Sequence, residues 1–283
     1  MNTNIMNYAN EVAESLEDVQ VVSCNKNGVD FIGLSDRSGG GSVSAIMYVN
    51  DLYEAGKTVD EAADIIRQKF AEYKAPKSID LNLESYEANM DKLSLRLYKA
   101  GNQNPDTAFV SAAKYGFEDL VIVPTIIVNM GFDGTGSVQL TTKIVDEWGV
   151  DINTIISKAL ENVEKVATFN TMREILIEMV GEDGAFMIPE DGPQQYVVTN
   201  ASRVNGAAAI LTMGEKLHEM FPDGYYVLPS SLHEVLVVPA IHNNINEKAS
   251  FDAMVKEVNE TQVAPVDVLS DHAYYFGDNY AMK

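Results

Sequence analysis

Apolar residues recur at Ile5, Tyr8, Val12 and Leu16, the three- and four-residue spacing that turns one face of a helix toward a core. Two strand-like runs follow, VQVVSC and VDFIGLS. They are joined through Lys26-Asn27-Gly28, where Asn-Gly supplies the positive φ angles of a tight hairpin turn. After RSGGGS, the stretches MYVNDLYEAG and TVDEAADIIRQKFAEYK read as two helices. Thr58 and Glu61 have the spacing of a capping box for the second. The Ala75-Pro76-Lys77 break closes this N-terminal α/β segment, residues 1–75.

Residues 76–283 read as the main α+β domain, separate from the first segment or continuous with it. Its pattern predicts a helix around 83–92, a strand KLSLRLY, a short helix near 106–114 and a long strand LVIVPTIIVNM turned by GFDGTGS into VQLTTK. Pro124 lacks a ladder donor, which predicts an edge strand or a bulge there. WGVDINTIISKALENVEKV reads as a helix capped at Asp151, and TMREILIEM as another. Further on, YVVTN and AAAIL read as strands joined by ASRVNG, with Gly206 at a positive φ and the small residues after it allowing close approach. MGEKLHEMF is a helix, and YYVLP and VLVVP are strands. KASFDAMVKEVNETQ is a helix with Phe251, Met254, Val255 and Val258 on one face, and AYYF is a last strand. Helices and hairpins alternate without a regular βαβ repeat. The expected fold is therefore α+β, with mixed, mostly antiparallel sheets and flanking helices.

Composition adds one strong constraint. Apolar residues at 46% and charged residues at 22% are ordinary for a globular chain, but the net charge is −22. The excess is spread evenly: residues 1–150 carry 22 acids and 12 bases, and the rest carry 20 and 8. Direct binding to nucleic acid or to an anionic membrane is therefore not expected, because phosphates need Lys and Arg. An acidic surface can instead imitate nucleic acid and occupy a basic groove on a partner. The only cysteine, Cys24, rules out an internal disulfide and any zinc site with two cysteine ligands. The N-terminus lacks a signal-peptide pattern, and the run Leu120 to Val128 is too short to span a bilayer. The expected location is the cytoplasm.

The densest candidate chemistry is YYVLPSSLHEVLVVP. Ser230 or Ser231 with His233 could form the nucleophile–base pair of a hydrolase. On a strand, however, Ser231 and His233 would stand roughly 6–7 Å apart, too far for direct proton transfer, and no G-x-S-x-G elbow is present. The alternative is a turn: Pro229 stops the first strand, and Ser231 with Glu234 has capping-box spacing. His218, His233, His242 and His272 match no metal-site spacing, and no cofactor motif is found. The loop Ser38 to Ser42 lacks the lysine of a phosphate-binding loop, and GFDGTG lies between strands. Nucleotide or small-ligand sensing would rest on those two loops alone. Glu182-Asp183 and Glu190-Asp191 flank a turn-rich segment without an EF-hand pattern.

The strings VVTNASRVNGAAAIL, YYVLPSSLHEVLVVP and EVNETQVAPVDVLSDHAYYF, with MYVNDLYEAGKTVDEAADII before them, resemble an uncharacterised bacterial domain-of-unknown-function family. Ala45 stands where that pattern expects a proline. The resemblance implies a bacterial cytoplasmic protein, from a family often carried near mobile genetic elements, and implies no activity. Together these readings favour a non-enzymatic protein that binds another protein, of basic surface, in the service of a phage or mobile element. The candidate patch is Asp51, Glu54, Asp60, Glu61 and Asp64, which fall on two adjacent predicted helices. A serine hydrolase and an acidic nucleic-acid mimic are the alternatives.

Overall fold

The computed structural model describes residues 3–38, 44–72, 83–129, 135–181, 194–241 and 246–277. They divide into two compact units, Met1–Asn82 with Val128–Gly136, and Leu83–Ile127 with Ser137–Lys283.

In the first unit, the helical stripe Ile5, Ala9 and Val12 is the buried face of α1 (Thr3–Glu14). The strands β1 (Val19–Lys26), β2 (Val29–Asp36) and β3 (Ile46–Tyr48) form an antiparallel sheet in that order. Asn27 and Gly28 take φ of 50° and 81°, as a two-residue hairpin with the twist of its strands requires. The expected helix MYVNDLYEAG is divided between β3 and a short α2 (Asn50–Glu54). The helix α3 (Val59–Glu72) buries Ala62, Ala63 and Ile66 against α1 and β2. Its capping box is formed: Thr58 N–H donates to Glu61 Oε2 at 3.0 Å, and Glu61 N–H donates to Thr58 Oγ1 at 3.3 Å.

The second unit carries two sheets. In one, β4 (Leu93–Lys99) and β5 (Val110–Ser111) lie on opposite sides of β6 (Leu120–Asn129), and β7 (Thr135–Gln139) also pairs with β6. Pro124 is thus not on an edge. It stands opposite Leu95 of β4, and its carbonyl, facing the other side, accepts from Leu140 N–H at 2.9 Å. Its missing donor faces that same side, where β5 gives way to the segment that follows β7, so no strand ladder is interrupted. The expected helix at 83–92 shrinks to one 3₁₀ turn, Met90–Lys92. The expected helix at 106–114 is a bridge at Thr107, then β5, then a 3₁₀ turn at Ala113–Tyr115. The helices α4 (Thr142–Trp148) and α5 (Ile152–Val166) follow, and Asp151 Oδ1 caps α5 by accepting from Asn153 N–H at 2.8 Å.

The last sheet is built from β8 (Ala167–Thr171), β9 (Tyr196–Asn200), β10 (Tyr225–Leu228), β11 (Val235–Pro239) and β12 (Tyr274–Phe276). It is antiparallel, in the order β12-β10-β11-β9-β8. The helices α6 (Met172–Val180), α7 (Gly214–Met220) and α8 (Glu247–Thr261) are interleaved with these strands in sequence. On α8, Val255 is buried and Phe251 packs beside it against Tyr226, while Met254 of the expected apolar face is exposed. The fold is α+β with three antiparallel sheets among the described residues, in accord with the sequence pattern.

AAAIL is not a strand. Gly206–Thr212 is a 3₁₀ helix in which Ala207 to Leu211 are all buried. A short continuous apolar run fits a buried strand and a buried helical segment equally well, and here the chain coils inside the core. Gly206 also lacks the expected positive φ, which falls on Asn205 at 52°. The need for glycine is nevertheless real. A Cβ there would lie 2.7 Å from both Asn200 N and His233 O, and closer still to Thr199 Oγ1.

Candidate functional site

Pro229 to Glu234 connects β10 to β11, and two other segments grip it. Leu232 N–H donates to Asp267 O at 2.8 Å, Leu269 N–H to Ser230 O at 3.1 Å, and Ser270 N–H to Pro229 O at 3.0 Å. From the other side, Ala207 N–H donates to Leu232 O at 3.1 Å. A turn held this closely presents its side chains in fixed positions.

Ser231 forms a different turn from the expected capping box. Its Oγ accepts from the N–H of His233, two residues on, at 3.0 Å, and Glu234 is exposed and takes no part. Strand β11 starts at Val235, so no helix exists for Ser231 to cap, and the hydroxyl serves an amide of its own turn.

The His233 ring is fully engaged. Its Nδ1 accepts from Asn205 N–H at 3.1 Å, which places the proton of the neutral ring on Nε2, 3.4 Å from Asp267 Oδ1. The backbone carbonyl of His233 accepts from Thr199 Oγ1 at 2.7 Å. A serine nucleophile must donate its proton to an imidazole lone pair, and the single lone pair of this tautomer is already filled by a backbone amide. Ser230, Ser231 and His233 therefore do not make a nucleophile–base pair in this geometry. They join three segments: the turn at 203–206, the turn at 229–234 and the strap around 267.

A second histidine cluster lies in the same strap. His272 Nδ1 is 2.9 Å from Asp271 Oδ1 and 3.3 Å from Ser270 Oγ, while Nε2 is 3.8 Å from Asp119 Oδ1. The Tyr274 hydroxyl donates a short hydrogen bond to Asp119 and lies 3.3 Å from Ser270 Oγ. Burial pushes the Tyr274 hydroxyl well above its ordinary pKa, and the bond to Asp119 adds to this. The Asp271 carboxyl is held below its ordinary value, first by the His272 imidazole and then, against partial burial, by Lys99 at 3.4 Å. Ser270 and Asp271 both meet the same ring nitrogen, whereas a catalytic triad needs serine and carboxylate on opposite ones. Sequence reading had Asp271 and His272 as neighbours but not Asp119, which comes from a turn 153 residues earlier and carries no local signal.

The remaining candidates disperse. Asp51 and Glu54 are exposed on α2, and Asp60 is exposed in the first turn of α3. Glu61 is spent on the Thr58 cap and on Lys57 at 3.6 Å, and the Thr58 amide holds its carboxyl below the ordinary pKa. Asp64 pairs with Arg67. The residues 39–43 of the first glycine loop, the residues 131–134 of the second, Glu182, Asp183, Glu190, Asp191 and His242 lie outside the described residues. Among the described residues, no three His, Cys, Asp or Glu side chains converge on a point that could hold a metal ion, and no helix is long and apolar enough to cross a membrane. Two clefts stand out, and neither includes a histidine. One, of about 530 Å³, is lined by Phe109, Thr142, Val145, Asp146 and Ile152; the other, of about 380 Å³, by Ile5, Cys24, Phe31 and Asn50.

The chain belongs to a family of unknown function (DUF5688), which matches residues 2–278. No curated protein and no solved structure matches it.

Proposed function

We propose that this protein acts by binding another protein of basic surface, through the acidic face of α2 and α3. The observation that carries the reading is the state of the five candidate acids. Asp51, Glu54 and Asp60 are exposed and have no ion pair among the described residues, whereas Glu61 and Asp64 are occupied within the unit. Three unpaired carboxylates, two on α2 and one in the first turn of α3, form a small negative field, while the opposite face of α3 is buried. The resemblance to a family often carried near mobile genetic elements makes the bacterial cytoplasm, and a phage or mobile element, the setting in which the partner is sought.

The test is charge reversal of the unpaired set, Asp51→Lys with Glu54→Lys and Asp60→Lys, followed by pull-down from host lysate. The variant loses the partner that wild type retains, and wild-type association slows steeply above about 0.15 M salt, where the Debye length is about 8 Å. Equal recovery by both proteins at low and high salt removes the face from recognition. Displacement of the bound partner by double-stranded DNA would assign the partner's groove to nucleic acid and make this face its mimic.

A further inference from the structure

β1 is an edge of the three-stranded sheet and eight residues long. Opposite it, Asp36 N–H turns away to Ala45 O at 3.0 Å, while Arg37 N–H turns inward to Asp18 O at 2.7 Å. With Val19 opposite Asp36 and Lys26 opposite Val29, the even-numbered residues of β1 bond to β2. The odd-numbered Val19, Val21, Ser23 and Asn25 direct their N–H and C=O groups outward. Among the described residues, no strand pairs with that side. Edges left open in folded proteins are usually blunted by proline, bulges or inward charges, and β1 has none of these, with one lysine at its last residue.

We propose that β1 pairs with β1 of a second copy of this chain, antiparallel about a two-fold axis at Val22, making one six-stranded sheet. The outward-facing set is symmetric about Val22. Val19 of one copy meets Asn25 of the other, Val21 meets Ser23, and every outward N–H finds a C=O. Charge selects the same arrangement. Glu17 and Asp18 precede the strand and Lys26 ends it, so antiparallel pairing brings each lysine to the other copy's acids, and parallel pairing would not. The side chains agree: Val19 and Val21 stay on the core face, and Val22 meets Val22 across the axis. This assembly does not depend on the acidic face of α2 and α3.

The pairing fixes a register that cysteines can read. Val22 would face its own copy in a non-hydrogen-bonded pair, Cα atoms about 4.5 Å apart, within the range a disulfide spans. Cys24 would face Gln20. On mild oxidation, Val22→Cys in a Cys24→Ser background cross-links into a dimer, and wild type, with Cys24 alone, does not. Sedimentation of the full chain at about 0.5 M salt, where the Debye length is about 4 Å and repulsion between acidic bodies is screened, shows a concentration-dependent dimer. Ser23→Pro removes an outward donor that β2 does not use, so it keeps the far-ultraviolet circular dichroism of wild type and weakens the dimer at least tenfold. A wild type that stays monomeric at hundreds of micromolar, or a Ser23→Pro dimer of wild-type strength, overturns the proposal. If Ser23→Pro does not fold, the two cysteine positions decide. Cross-linking through position 24 and not 22 overturns it.

Discussion

The two histidine turns begin from the same local string. Ser231-Leu232-His233 and Ser270-Asp271-His272 both place a serine hydroxyl under the histidine amide two residues on, at 3.0 and 3.3 Å. Beyond that they diverge. The His233 ring receives a backbone N–H on one nitrogen and offers the other to a single carboxylate, Asp267. The His272 ring has Asp271 at one nitrogen and Asp119 at the other, with buried Ser270 and Tyr274 beneath. A two-residue spacing is enough to set the turn. What the imidazole does is set by partners that arrive from elsewhere in the chain. The first ring is a fastening that accepts a backbone bond, and the second is set between two carboxylates.

The strongest way to break the first turn is to push on it from below. Gly206 lies against the backbone of His233 and Asn200, so a side chain there must move backbone, not merely a flexible tip. Gly206→Val is expected to lower stability by about 3 kcal/mol or more, at the upper end of overpacking costs, and Gly206→Ala by somewhat less. Chemical denaturation measures both. A change under about 0.5 kcal/mol for either would show that the 199–206 and 229–234 segments are not locked together. The contacts of His272 do not involve Gly206, so the Asp271–His272 pair should survive in the folded fraction.

That glycine also marks where the sequence stops being legible. Features decided within three or four residues were readable: the Asn27-Gly28 hairpin, the Thr58–Glu61 box and the Asp151 cap. Features decided by distant partners were not. Asn205-Gly206 looked like a glycine that needs a positive φ. The asparagine takes that conformation, and the glycine is needed because Thr199 and His233 crowd it. Ser231 and Glu234 had the spacing of a cap, but a cap needs a helix, and the chain continues as a strand. Pro124 suggested an edge because a lone strand does not say who its neighbours are. β8 went unread because ATFNT is five half-buried residues between two well-formed helices. The Asp119–His272 contact could not be inferred from either sequence neighbourhood.

Removing the two serine hydroxyls compares the turns directly. Ser270 is 1% exposed and serves the His272 amide, the imidazole and the Tyr274 hydroxyl, so Ser270→Ala leaves buried polar groups short of a partner. The expected loss is about 2 kcal/mol. Ser231 is only half-buried and serves one amide, so Ser231→Ala should cost about 1 kcal/mol. Ser231→Asn should recover most of that, because an asparagine side chain closes the same turn. Equal losses at the two positions would mean that tertiary partners add nothing to the shared local turn. Covalent capture of either serine by a fluorophosphonate probe would restore the nucleophile that the ring geometry denies.

The smallest effect separates the two rings by pH. The folded-state pKa of Asp271 lies below its ordinary 3.8, with the His272 imidazole as the largest cause and Lys99 contributing. The unfolded chain therefore binds a proton on this carboxyl at a higher pH than the folded chain does. The stabilisation is fully present above about pH 5 and is lost as pH falls through the unfolded and then the folded value. In Asp271→Asn that contribution is absent at every pH. The melting temperatures of wild type and Asp271→Asn should thus differ by a constant amount from neutral pH down to about pH 5, then converge below about pH 4. His272→Gln removes the main cause of the shift and should shrink the same gap, whereas His233→Gln should leave it unchanged. Asp271 is more than half exposed, so the gap is expected to be a degree or two and smaller in high salt. A gap that does not close in acid would place the energetic role of Asp271 elsewhere than in its charge, and one that responds to His233→Gln as strongly as to His272→Gln would merge the two clusters into one.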